Sequence, residues 1–175
     1  PFYIDNKGVA WSYQKENGTL TFFGSGEMEH YSAQPWDSAY GIKSCEDVHH
    51  LVVEPGVTSV SEGLCKGYSG LETVSLPQGL KTIGKDAFYG CALETAALPN
   101  SVSTVGNGAF AECGKLTSIT TFGDWQAPDA DAEGIQANAF SAPVLETAEI
   151  PKSIQKMDRS SFFQAKKLKT VYFQD

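Results

Sequence analysis

Two consecutive segments, LETVSLPQGLKTIGKDAFYGC (71–91) and LETAALPNSVSTVGNGAFAEC (93–113), carry the same residue types at the same positions. Further copies, aligned on the opening position, begin at residues 48, 116 and 145, and a partial copy begins at 168. Successive starts are therefore separated by 23, 22, 23, 29 and 23 residues. A repeat with a period of about 20 to 50 residues indicates a solenoid, in which each copy forms one coil that packs on its neighbours.

Each copy opens with a pattern that predicts a short strand buried on one face. In the copy at 71, Leu71, Val74 and Leu76 would face the core, while Thr73 and Ser75 would face solvent. A proline follows the strand in three copies, where its missing N–H would end the ladder. Glycines recur after the second apolar pair and are expected at tight turns, as Gly84 and Gly106. Recurring aromatic residues are expected to stack inside the solenoid: Phe88, Phe110, Phe140 and Phe162.

The pattern L-x-x-V-x-L-P-x-x-L-x-x-I-G-x-x-A-F-x-x-C, as it stands in Leu71–Cys91, resembles the BspA-like leucine-rich repeat of bacterial surface proteins. The resemblance covers residues 48–175, as about five full repeats and a partial one. The copy at 48 has Leu64-Cys65 instead of Ala-Phe, and the copy at 116 lacks the proline and carries an insertion.

This resemblance implies a leucine-rich-repeat solenoid, a right-handed β/α-type superhelix. One face would be a parallel β-sheet, and the other would consist of short helical or irregular segments. The resemblance also implies a secreted or cell-surface protein that adheres to a host or matrix protein or to a glycan.

Residues 1–47 do not repeat. The stretch VAWSYQKENGTLTFFGSG predicts a β-hairpin around the turn Glu16–Gly18. Because a first coil needs its exposed end covered, residues 1–47 are expected to form a capping module that uses Trp11 and Trp36. The segment is similar to the N-terminal module that precedes such repeats. Since Pro1 opens directly into this stretch, any signal peptide is expected to lie outside this sequence.

The composition argues against two classes of partner. The net charge of −8 disfavours nucleic acid, whose binding depends on clustered cations, and the one basic cluster, Lys166, Lys167 and Lys169, is interpreted as a solvated edge. No apolar run approaches the roughly 20 residues that would span a bilayer. The chain stops just after the strand pattern LKTVYF, so the open C-terminal repeat is a candidate surface for self-association.

The four cysteines, Cys45, Cys65, Cys91 and Cys113, lack the C-x-x-C spacing of a zinc cluster. Cys91 and Cys113 occupy equivalent positions of neighbouring coils, so their Cα atoms are expected about 5 Å apart, within disulfide range. Equivalent side chains point in parallel, which favours buried free thiols over a bridge. The sequence leaves both states open.

The insertion GDWQAPDADAEG (123–134) matches the start of an EF-hand loop in its alternating acidic residues. The closing Glu of such a loop would fall on Phe140, a core position, so an EF-hand is excluded. A solvated loop is favoured over a looser calcium site, and no metal or cofactor is predicted. A loop on a rigid scaffold often carries recognition, although Trp125 could instead cover the local core. The loop candidates are Trp125, Asp129, Asp131 and Glu133.

The open face of the predicted sheet has two columns of residues. The first reads His50, Thr73, Thr95, Ser118, Thr147, Thr170, and the second reads Val52, Ser75, Ala97, Thr120, Glu149, Tyr172. Stacked threonines stabilise parallel strands, which is reason enough for their presence, but solenoids also bind partners on this face. The candidate ligand-binding residues are His50, Thr73, Ser75, Thr95, Ser118, Thr120, Thr147, Glu149 and Tyr172.

The predicted function is an extracellular or cell-surface interaction module for a protein or glycan. The alternative is a structural spacer or assembly segment of a larger surface protein. An enzyme is not predicted, because only three histidines are present and His49-His50 should point to opposite faces of a strand. An active site would require a deep pocket that joins His30 or His49 to a carboxylate and to a Ser or Cys.

Overall fold

The computed structural model describes residues 3–5, 7–31 and 46–175, and within these residues it contains thirteen strands and no helix. The strands are β1 (Tyr3–Ile4), β2 (Val9–Gln14), β3 (Thr19–Gly24), β4 (His50–Val53), β5 (Ser59–Val60), β6 (Thr73–Ser75), β7 (Thr82–Ile83), β8 (Thr95–Pro99), β9 (Thr104–Val105), β10 (Ser118–Phe122), β11 (Gly134–Ile135), β12 (Thr147–Ile150) and β13 (Thr170–Phe173). In this part of the chain nothing forms a helix long and apolar enough to cross a membrane.

The opening strand of each copy joins a sheet of stacked parallel strands. One part of this open sheet has the order β1-β2-β3-β4-β6, and the other has the order β8-β10-β12-β13. The division between β6 and β8 coincides with the one interval of 22 residues, in which the repeat is one residue shorter before Leu93 than in the 23-residue copies. The predicted solenoid with a parallel sheet on one face is confirmed.

The other side of the coils is built from turns and from a second parallel sheet with the order β5-β7-β9-β11. The sequence predicts helical or irregular segments there, and the two-residue strands of this second sheet are an addition to that prediction. Gly84 and Gly106 follow β7 and β9 without a left-handed backbone. A Cβ atom on Gly84 would lie 2.6 Å from the Glu62 backbone nitrogen. Glycine is therefore needed here for the close approach of neighbouring coils, and not for the tight turn that the sequence predicts.

The predicted aromatic column is confirmed. The ring centroids of Phe88 and Phe110 are 5.2 Å apart, those of Phe110 and Phe140 5.8 Å, and those of Phe140 and Phe162 5.4 Å. The first three rings are fully buried, and Phe162 is half-buried. Because each ring packs on the next coil, the column couples the stability of one repeat to that of its neighbours.

The predicted hairpin is present. Strands β2 and β3 pair antiparallel, with Trp11 opposite Phe22, and both side chains are buried. Strand β3 then pairs parallel with β4, the first repeat strand, which places Leu20 beside Leu51. Trp36 lies outside the described residues, and the division of the chain at residue 47 into a capping module and repeats stays a prediction.

The three cysteines within the described residues are buried, and none of them is in a disulfide. The Sγ of Cys91 donates to the Cys65 carbonyl at 3.1 Å, and the Sγ of Cys113 donates to the Phe88 carbonyl at 3.1 Å. Burial raises the pKa of the Cys65 thiol, and it raises the pKa of Cys113 to about 11. Thiol–carbonyl contacts between coils thus replace the disulfide that the sequence leaves open.

Candidate functional site

The register of the open sheet brings the two predicted columns together. His50 pairs with Thr73, Thr95 with Ser118, Ser118 with Thr147, and Thr147 with Thr170. In the second column Val52 pairs with Ser75, Ala97 with Thr120, and Glu149 with Tyr172. The columns therefore continue on each side of the division between β6 and β8.

Small polar side chains dominate this face. Thr73, Ser75, Thr95 and Thr120 are exposed, whereas the inward residues between them on these strands, such as Ala96 and Ile119, are buried. Tyr172 is the large outward side chain of the second column, and it is 53% exposed. The resulting surface is rich in hydroxyl groups, each of which can donate and accept a hydrogen bond.

The hairpin extends the face beyond the repeats, which the sequence analysis does not predict. Thr19 pairs with His50 and Thr21 pairs with Val52, so both threonines continue the two columns. Leu20 and Phe22, which alternate with them, are buried. This alternation of Thr with buried Leu and Phe in TLTF is the sequence signal that could have found them.

The Glu149 carboxylate is engaged within the sheet. Its Oε2 accepts hydrogen bonds from the Thr121 backbone N–H at 2.9 Å and from the Thr121 hydroxyl at 2.8 Å. Strand β10 pairs with β12 only at Ser118 and Ile119. The backbone N–H of Thr121 lies beyond this pairing, and the Glu149 carboxylate provides its acceptor. Glu149 therefore stabilises the sheet whether or not it also contacts a ligand.

The two adjacent histidines make separate contacts. The Nδ1 of His50 lies 2.7 Å from the Thr73 hydroxyl, and the Nδ1 of His49 lies 3.2 Å from the Gly70 carbonyl. Their ring centroids are 6.3 Å apart. Among the described residues, no three His, Cys, Asp or Glu side chains are grouped so that they could hold a metal ion.

The insertion folds back across several coils. The Asp124 carbonyl accepts from the Gln78 amide at 2.9 Å, and Asp129 forms a salt bridge with Lys81 at 2.9 Å. Glu133 accepts from the amide of Gln136. The side chain of Trp125 is 56% exposed and so does not cover the local core, while Asp131 is also exposed. The structure thus presents Trp125 and Asp131 to solvent and gives Asp129 and Glu133 protein partners.

Asn100, which the sequence analysis does not select, anchors the base of this loop. Its side chain is buried; Nδ2 donates to the Gly123 carbonyl at 2.8 Å, and Oδ1 accepts from the Lys152 backbone N–H at 3.0 Å. Ser153 donates its hydroxyl to the Asn100 carbonyl at 2.5 Å. The available signal was an Asn directly after the strand-ending Pro99, a position where a side chain can bond to adjacent backbone.

The repeat identified from these coils corresponds to a known family. The family described as "BspA type Leucine rich repeat region" matches residues 38–169 in six copies. The chain belongs to this BspA-type leucine-rich repeat family. Among curated proteins, none matches the chain by sequence.

Solved structures of bacterial leucine-rich repeat proteins share the fold of this chain. The pneumococcal vaccine antigen PcpA superposes with a TM-score of 0.65 at 17% identity, and the match covers 100% of this chain and 50% of that one. The T. pallidum leucine-rich repeat protein gives 0.61 at 15% identity, with 92% and 77% covered. A leucine-rich cell surface protein from Faecalibacterium prausnitzii gives 0.50 at 17% identity, with 99% and 54% covered. The chain thus spans about half the length of two of these three proteins.

His30, one of the histidines considered for an active site, lines a cleft on the surface of this BspA-type chain. His30 shares a shallow cleft of about 370 Å³ with Glu27 and Ser59. The Ser59 hydroxyl accepts a hydrogen bond from the Met28 backbone N–H at 2.9 Å, and the described residues provide no hydrogen bond to the His30 ring.

The repeat that contains β13 exposes three aromatic side chains. Strand β13 is at the end of its sheet, and its residues Tyr172 and Phe173 are 53% and 68% exposed. Phe163, in the preceding turn, is 59% exposed. Three aromatic side chains thus form an exposed apolar surface on this repeat.

Proposed function

We propose that this chain is an extracellular or cell-surface interaction module that binds a protein or glycan through its open sheet. The observation that carries the proposal is the alignment of outward residues, most of them Thr or Ser, in two columns on each side of the division between β6 and β8, from Thr19 and Thr21 of the hairpin to Thr170 and Tyr172. Solenoids present such faces as extended binding surfaces.

The chemistry of this face favours a polar partner with basic groups. Glu72 and Glu94 are exposed directly before the outward residues Thr73 and Thr95, and the chain has a net charge of −8. Complementary charge accelerates encounter and orients the partner, while the hydroxyl groups supply hydrogen bonds. A protein surface that carries Lys or Arg fits this arrangement better than a nucleic acid does.

The proposed location outside the cell is supported by the nature of the structural relatives. One of them is described as a cell surface protein, and another is a vaccine antigen. Leucine-rich repeats typically act as interaction modules, and the role proposed for this chain is likewise recognition without catalysis.

The test is direct binding of the purified chain to a panel of extracellular matrix proteins and surface glycans. Thr120→Arg places a long cation at the centre of the face, and Gln155→Arg adds the same charge at an exposed position outside it. Saturable binding that Thr120→Arg weakens at least tenfold and Gln155→Arg leaves within twofold supports the proposal. Equal effects of the two variants, or binding that neither changes, would refute recognition by the open sheet.

A second candidate function is assembly through the C-terminal repeat, as a spacer or connecting segment. It is favoured by the exposure of three aromatic side chains on and before strand β13: Phe163, Tyr172 and Phe173. Sedimentation measured over a hundredfold range of concentration tests it, with Phe173→Asp as the variant and Gln155→Asp as the control. Dimers that only Phe173→Asp dissociates support assembly, and a monomer at every concentration contradicts self-association.

A further inference from the structure

A cleft of about 610 Å³ lies on the side of the coils that carries the second sheet. Its walls include Lys85, Asn107, Gln136 and Lys156, and Glu133 at the end of the insertion forms part of its rim. Sites for small ligands typically have volumes of about 300–1,000 Å³. The cleft is separate from the two columns of the open sheet.

The cleft is located where the glycine column of the repeats ends. Ile83, Val105 and Ile135 align in the second sheet, and Ile135 bridges to Met157. The residue that follows is Gly84 after Ile83 and Gly106 after Val105, but it is Gln136 after Ile135 and Asp158 after Met157. Glycine permits close backbone contact between coils, whereas Gln136 and Asp158 project side chains that line the cleft.

The cations and the carboxylates of the cleft differ in how they are paired. Asp158 accepts from the Ser160 N–H at 2.8 Å and from its hydroxyl at 2.5 Å, and Glu133 accepts from the Gln136 amide. Neither Lys85 nor Lys156 has a salt bridge or hydrogen-bond partner for its ammonium group among the described residues. The cleft therefore offers two solvent-exposed cationic donors that no described residue engages.

A ligand must also suit the two carboxylates. Each carboxylate offers about four lone-pair directions, of which the contacts above use one or two, so both can accept further hydrogen bonds. A phosphate dianion would be repelled by Glu133 and Asp158. A molecule with a single carboxylate and several hydroxyl groups satisfies both sets, because its carboxylate accepts from the lysines and its hydroxyls donate to the acids. Ala137 and Met157 add apolar surface for the C–H face of a ring.

We propose that this cleft binds a carboxylated sugar residue, such as a hexuronate of an extracellular polysaccharide. The two lysines bind the carboxylate, the exposed Asn107 amide donates to ring or hydroxyl oxygens, and Glu133 and Asp158 accept hydrogen bonds from the hydroxyl groups. The site is independent of the open sheet, so a chain with both would bind two partners on different sides of the coils.

The probe is tetragalacturonate, and its methyl ester is the matched ligand without charge. Binding is measured by calorimetry and by NMR shifts of the Asn107 and Gln136 side-chain amides. The variant is Lys85→Gln with Lys156→Gln, and Lys152→Gln with Lys166→Gln is the control that removes the same charge from exposed positions outside the cleft. All four lysines are exposed, so the variants are expected to fold, and thermal unfolding followed by circular dichroism confirms this.

We expect the cleft variant to weaken binding of tetragalacturonate by at least tenfold, because each charge-assisted hydrogen bond is strong, and the control variant to change it by less than twofold. The methyl ester should bind at least tenfold more weakly than the acid. Absence of binding, equal binding of acid and ester, or equal effects of the two variants would overturn the proposal. Thr120→Arg should leave the affinity for tetragalacturonate unchanged. The cleft and the open sheet are therefore tested independently of each other.

Discussion

Replacement of Asn100 by Ala should destabilise the fold at the base of the insertion. The side chain is 4% exposed and makes two well-formed bonds, to the Gly123 carbonyl at 2.8 Å and from the Lys152 N–H at 3.0 Å. Each such bond contributes about 0.5–1.5 kcal/mol. The loss of both therefore costs about 2 kcal/mol in the free energy of unfolding, which corresponds to about 4–8 °C in Tm for a chain of this size.

Urea unfolding followed by circular dichroism measures this change, and chymotrypsin cleavage after the exposed Trp125 reports release of the loop. Gln78→Ala is the matched control, because Gln78 is exposed and contacts the same loop through one hydrogen bond, from its side-chain amide to the Asp124 carbonyl. Asn100→Asp retains the acceptor but sets a carboxylate against the Gly123 carbonyl, so its effect at pH 7 should be at least as large. A change below about 0.5 kcal/mol, or one equal to that of Gln78→Ala, would refute this account of the loop.

Three further predictions concern the core and the N-terminal strands. Phe110→Ala, in the middle of the aromatic column, should cost about 3–5 kcal/mol in urea unfolding, and the half-buried Phe162→Ala clearly less; equal costs would contradict the column. Burial raises the pKa of Asp5, but hydrogen bonds from three backbone N–H groups and the Tyr31 hydroxyl outweigh it and hold this pKa below its ordinary value. The stability that Asp5 contributes is thus present above about pH 4 and is lost as the pH falls through the lowered pKa. The difference in unfolding free energy between the native chain and Asp5→Asn should therefore shrink below about pH 4. A difference that does not change with pH would argue against this role of Asp5. In a Cys45→Ser background, a thiol reagent should react only on unfolding with the three remaining cysteines, which are buried: Cys65, Cys91 and Cys113. Rapid reaction of the folded chain would show that these thiols are accessible.

The repeat, the strand at the start of each copy and the identity of the outward residues could all be predicted from the order of residues alone. These features depend on local periodicity, since alternate residues of a strand face opposite sides and equivalent residues of stacked coils align. The aromatic column followed for the same reason. Position along the repeat was enough to place Thr73 beside His50 and Thr95 beside Ser118.

Tertiary structure decided how side chains with more than one available partner are used. Glu149, selected as a ligand-binding residue, bonds to Thr121, and the acidic insertion pairs Asp129 with Lys81 from an earlier coil. The thiols bond to carbonyls of other coils, although their spacing also allowed a disulfide. These contacts join residues more than twenty positions apart, and the periodicity that reveals a repeat does not specify where an irregular loop crosses it. The anchoring role of Asn100 and the cleft beside Gln136 therefore became visible only when the coils were stacked.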